Sequence, residues 1–98
     1  MIQHNVFFQW KPSMTSAIEQ ASFAQFRAMK ALIPGIVSVS VGPQNSPEGL
    51  GKKYHVGLSV VFTDKAARDA YLPHPAHVAA VAPIRPHLED VCVLDYEF

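Results

Sequence analysis

Apolar and polar positions change period repeatedly along the chain, and each change predicts an element. Residues 2–10, IQHNVFFQW, are dense in β-branched and aromatic types and stop at Lys11-Pro12, the pattern of a strand ended by a turn. Over 15–32, TSAIEQASFAQFRAMKAL, the period lengthens. Ile18, Phe23, Phe26, Met29 or Lys30, and then Ile33 recur at helical spacing, with Ser13 or Thr15 as the N-cap and Pro34-Gly35 as the stop. GIVSVSVG, 35–42, alternates Val37, Val39 and Val41 with Ser38 and Ser40 and predicts a second strand. Residues 43–53, PQNSPEGLGKK, have loop composition, and YHVGLSVVFT, 54–63, predicts a third strand. Asp64 caps a helix through KAARDAYL that Pro73 breaks; HPAHVAAVAPIRPHL restarts it, with Pro75 in its first turn and Pro83 and Pro86 near its end. EDVCVLDYEF, 89–98, closes as a fourth strand.

The order is β-α-β-β-α-β with a broken second helix, an α+β ferredoxin-like arrangement: a four-stranded antiparallel sheet with helices on one face. Such a sheet ordinarily alternates between a dry and a wet face. Here Phe7 and Phe8, Val60 and Val61, and Cys92 to Leu94 are consecutive apolar residues, so both faces ask for cover. The helices cover one. A second copy of the chain, sheet against sheet, covers the other, and a homodimer is expected.

Composition narrows the functional classes. The 98 residues predict one domain over 1–98, and with 49% hydrophobic and 16% charged residues the chain is globular. Net charge is zero and no basic run occurs, so the field that nucleic acid or an anionic membrane requires is missing. The one cysteine, Cys92, forms no intrachain disulfide and, inside VCVL, reads as a small buried apolar residue. With no leader-like N-terminus and no apolar run near the ~20 residues of a membrane helix, a soluble cytoplasmic protein is expected.

IQHNVFFQWKP, LIPGIVSVSVG, NSPEG, YHVGLSVVFTD, DAYLPHPAHVAAVAP and DVCVLDYEF together resemble the stress-responsive dimeric α/β-barrel (Dabb) family over essentially the whole chain. AYLPHPAH is the most specific of these motifs and LIPGI the next. The resemblance implies a homodimer whose two sheets form a barrel. It also implies a pocket between sheet and helices. Most members have no established reaction, but a plant member is a polyketide cyclase that closes a tetraketide thioester by intramolecular aldol condensation without metal or organic cofactor. Its catalytic tyrosine and histidine fall on Tyr71 and His77, and its strand histidines on His4 and His55.

The residues themselves support two readings of YLPHPAH. A neutral imidazole at His77 is a base near pH 7 and the phenol of Tyr71 a donor to a developing oxyanion, brought together by the bend at Pro73 and Pro75. Alternatively Tyr71 is a core ring and His77 a hydrogen-bonded buried imidazole. His74, before Pro75, reads as an N-cap. His4 and His55, on the strands expected to be central, would join His77 in a ligand-binding cluster if both face the helices. His74 and His77 with His4 and His55 have the ligand type for zinc but not a zinc spacing, so no metal is expected. His87 is expected to be exposed, Asp95 and Glu97 to be solvated edge charges, and the 43–53 loop to gate the cavity. The loop lacks a phosphate-binding ending, and Ser38 and Ser40 have no base at a recognisable spacing. Two functions follow. One is a dimer binding a small apolar or aromatic metabolite in a histidine-lined cavity; the other is a cofactor-free cyclase-like enzyme with His77 as base and Tyr71 as oxyanion donor. A cofactor-free oxygenase is a third possibility that the resemblance allows.

Overall fold

Alternation in the first strand sets the layers. In β1 (Ile2–Trp10), Ile2, His4, Val6, Phe8 and Trp10 are all buried, while the residues between them are less so. Period-two geometry therefore sends the even-numbered side chains to one face. The same parity holds in β3 (Val56–Phe62), where Val56, Leu58, Val60 and Phe62 are buried. β1 and β3 pair antiparallel with His4 opposite Val60, so the two buried rows form one continuous apolar floor. β2 (Ile36–Pro43) pairs with β3, and β4 (Leu88–Glu97) pairs with the other side of β1, giving the order β2-β3-β1-β4. The computed structural model describes residues 1–98 throughout.

Helix α1 (Ser16–Leu32) starts where Thr15 accepts a hydrogen bond from the Ile18 N–H at 3.2 Å, the second of the two caps considered. Its buried face carries Ser22, Phe23, Phe26 and Met29, so Met29 rather than Lys30 completes the stripe. Phe26 stacks on Phe8 at 5.9 Å between centroids, which ties the helix to the centre of the sheet. Each such fully buried apolar side chain contributes about 1.5–3 kcal/mol by its removal from water. α2 (Lys65–Tyr71) is capped by Asp64, which accepts from the Ala67 N–H at 2.8 Å. α3 (Pro75–Val81) restarts after Pro73, with His74 as its N-cap and Pro75 in its first turn. A 3-10 turn over Arg85–His87 leads into β4. The second helix is thus split in two, as expected from its prolines, and all helices lie on the even face.

Three local expectations need correction. The third strand begins at Val56, two residues later than the composition predicts, and ends at Phe62. Cys92 is half-buried on the face away from the helices rather than in the core. His87 sits in the 3-10 turn, half-buried, with Nδ1 2.8 Å from Ser13 Oγ.

The face away from the helices is mixed. Gln3, Asn5 and Ser59 form a hydrogen-bonded polar patch in its centre, and Phe7, Leu94 and Tyr96 flank it. The 43–53 loop folds over one end of this face, where it helps to line a hollow with Phe7, Tyr54 and Cys92.

Gly35 in LIPGI has φ +88°, and a Cβ there would lie 2.5 Å from the Cβ of Ala67. Gly35→Ala therefore strains the backbone and pushes α2 from the sheet, and a loss of about 1–3 kcal/mol is expected in urea unfolding.

Candidate active site between sheet and helices

Three rings meet where the C-terminus of α2 turns into α3. Strand parity delivers His4 from β1 into the helical layer, and it is only 5% exposed. Tyr71 is the last residue of α2 and is 1% exposed. The break at Pro73 then reverses the chain so that His77, in the first turn of α3, returns to Tyr71. The His77 and Tyr71 rings stack at 4.1 Å between centroids, and the His4 ring meets Tyr71 edge-on at 5.6 Å. Phe62 supports Tyr71 from the floor of the sheet at 5.0 Å.

Hydrogen-bond partners fix which ring nitrogens carry protons. His77 Nδ1 lies 3.0 Å from the Leu72 carbonyl, which can only accept, so Nδ1 carries the hydrogen and Nε2 of the neutral ring is left with its lone pair. His4 Nδ1 lies 2.7 Å from Asp95 Oδ1, and a carboxylate imposes the same tautomer. The other oxygen of Asp95 accepts from Arg68 Nη1 at 2.8 Å. Asp95 is therefore no solvated edge charge: Arg68 holds it on one side and it holds His4 on the other. Glu97 does remain at the surface, 3.5 Å from Lys65.

The electrostatics suit proton transfer. Burial, with a smaller contribution from the Asp95 charge, raises the Tyr71 phenol well above its ordinary range, so it stays an O–H donor. Burial lowers His77 below its ordinary 6.5; the Leu72 hydrogen bond opposes this, and the nearby His4 and Arg85 add to it. His77 is thus a neutral base at pH 7.

These rings border a cavity of about 260 Å³ whose remaining wall is mainly apolar: Val6, Phe8, Phe26 and Leu58 below, Val78 and Val81 above, Val91 and Val93 on β4. The wall is open on the β4 side, where no helix covers Val91 and Val93 (42% and 54% exposed). Of the four predicted site residues, Tyr71, His77 and His4 converge here.

His55 does not. It precedes β3, its backbone N–H donates to the Phe8 carbonyl at 2.8 Å, and its Nδ1 accepts the Trp10 N–H at 3.0 Å. It borders a separate open groove with Trp10 and Glu19, and there the Glu19 carboxylate is taken up by the Trp10 indole N–H at 2.8 Å. His74 caps α3 by accepting from the Ala76 N–H at 3.0 Å, as expected. The 43–53 loop contributes nothing to the cavity within one chain. No group of three or more His, Cys, Asp or Glu side chains is arranged to hold a metal ion, and no helix is long and apolar enough to cross a membrane.

The comparisons agree with this frame. The model of the stress responsive A/B barrel domain matches residues 2–98. The chain belongs to that family. A Dabb family protein of ferredoxin-like fold from Mesorhizobium loti is 32% identical over 99% of this chain and 95% of its own, with a TM-score of 0.78. A dimeric ferredoxin-like protein from Jannaschia sp. CCS1 is 29% identical over 99% and 98%, with a TM-score of 0.83. The hydroxynitrile lyase of Passiflora edulis shares the fold at 18% identity, over 97% of this chain and 90% of its own, with a TM-score of 0.86. No curated protein matches the chain. The Dabb fold and its dimeric neighbours thus agree with the sequence reading.

The depressed His77 makes a pH prediction whose sign is fixed. Between its folded pKa and the ordinary 6.5, the unfolded chain binds more protons than the native one, so stability rises with pH through that window. Urea midpoints measured downward from pH 7 are expected to fall below about 6.5, and His77→Gln is expected to remove that component of the decline.

Proposed function

We propose that this Dabb protein is a homodimer that binds a small apolar or aromatic metabolite in the cavity beneath α3. The observation that carries the reading is the cavity itself: a mostly apolar chamber whose polar side chains are Tyr71, His77 and His4, with Arg85 at the rim. Sites of this composition orient an apolar ligand by a few polar contacts. Dimerisation buries the face left uncovered by the helices, where Leu94 and Tyr96 are more than half exposed, and the dimeric state of the Jannaschia neighbour supports it.

One observation favours a second, enzymatic reading. His77 offers an unprotonated Nε2 and Tyr71 an O–H with no hydrogen-bond partner in the chain; neither feature is needed for packing. In a cofactor-free aldol closure, Nε2 would take the proton from a carbon between two carbonyls while Tyr71 hydrogen-bonds the enolate oxygen. That carbon would then attack a third, more distant carbonyl of the same molecule, forming the C–C bond, and the new alkoxide would recover the proton from the His77 imidazolium. A base of this kind accounts for about 10²–10⁴ in rate and an oxyanion donor for about 10²–10³. By analogy of fold alone, the Passiflora lyase shows that such a scaffold can host an enzyme.

Two measurements test these readings. For assembly, sedimentation is expected to give a dimer, and Leu94→Glu on the open face is expected to yield a folded monomer; a monomeric wild type would overturn the dimer. For the site, a β-polyketide thioester analogue is titrated while the histidine rings are followed by NMR and turnover is assayed. Binding that shifts His77 is expected. With turnover, His77→Gln and Tyr71→Phe should lose rate and largely keep affinity; in a binder they lose affinity. A His77 ring indifferent to every apolar carbonyl ligand would sink the site.

A further inference from the structure

The charged groups around the cavity do not balance. Its one permanently charged lining residue is Arg85, on the 3-10 turn at the rim; no carboxylate lines the wall. Asp95, behind the His4 ring, has both its oxygens engaged, one by His4 and one by Arg68. The ion pairs of the chain are made by His4, Lys53, Lys65 and Arg68, and Arg85 takes part in none. A guanidinium is charged at every relevant pH and suits two-pronged contact with a carboxylate.

We propose that Arg85 selects a ligand bearing a carboxylate, placed at the rim of the cavity while the apolar body of the ligand lies along Val78, Val91 and Val93. The inference rests on the cavity being the ligand site and specifies what enters it. Size limits the ligand further. A chamber of about 260 Å³ lies under the roughly 300–1,000 Å³ typical of drug-sized sites and suits a single ring or a short chain. Charge sets the orientation: the carboxylate stays at the open rim, and the opposite end of the molecule is the one that meets Tyr71 and His77. Arg85 thereby acts on specificity, while any chemistry stays with the rings deeper in.

The test compares 4-ethylbenzoate with its near-isosteric neutral partner 4-ethylbenzamide, by NMR titration of the His77 and Tyr71 rings in the full chain. The benzoate is expected to bind at least about tenfold more tightly than the amide. Added salt narrows the ratio, because the contact is at the rim. Arg85→Gln is expected to bring the ratio near one by weakening the acid alone, and Arg85→Lys to keep part of the preference. Since Arg85 is exposed, both variants are expected to fold as the wild type, checked by thermal unfolding. Equal binding of acid and amide, or a preference that survives Arg85→Gln, overturns the role of Arg85 and leaves the cavity reading standing. If neither compound moves the two rings, the cavity reading itself falls, and this inference with it.

Discussion

Because β1 hydrogen-bonds to β3 along one edge and to β4 along the other, its side-chain parity decides what faces the helices. Ile2, Val6, Phe8 and Trp10 enter the core by that parity, and His4 enters with them. A one-residue slip of β1 against its two neighbours would exchange its faces and turn His4 outward. The same register places Asp95 opposite His4, since the two are direct partners across β1 and β4. The polar core of the site is thus a by-product of the pairing that builds the hydrophobic one.

Much of this is legible in the chain because it is local. Helix starts at Thr15 and Asp64, the break at Pro73 and the cap at His74 depend on residues within a few positions of each other, and the structure has them where the sequence puts them. Tyr71 and His77 meet for the same reason, six residues apart around two prolines. What the sequence hides is long-range. Asp95 is 91 residues from His4, and only the strand order makes them neighbours. His55 fails for a subtler cause. It lies just before β3 begins, where its ring accepts the Trp10 N–H at the end of the sheet instead of entering the cavity. Cys92 is opposite Phe7, out of phase with the inward row, a signal present in the sequence once the phase of the strands is counted.

Partly burying charged groups beside an apolar chamber costs desolvation, and an Arg–carboxylate pair seldom recovers all of it. The Arg68–Asp95 pair does more than balance its own charge, because the carboxylate also holds one imidazole in a single tautomer. The His77 tautomer is set more cheaply, by a backbone carbonyl at the helix break. Two rings with their Nε2 atoms unspent therefore arise from two different devices, one electrostatic and one conformational.

The unroofed wall of β4 has a consequence beyond access. Val91 and Val93 pack against no helix, so changing them removes little buried area and leaves the fold nearly as stable as before. The β4 positions that shape this wall are therefore separate from Val6, Phe8, Phe26 and Leu58 of the floor, which belong to the core. Mutation can redraw that one side of the chamber at small cost in stability, and a scaffold arranged this way can drift between ligands over generations without passing through an unfolded intermediate.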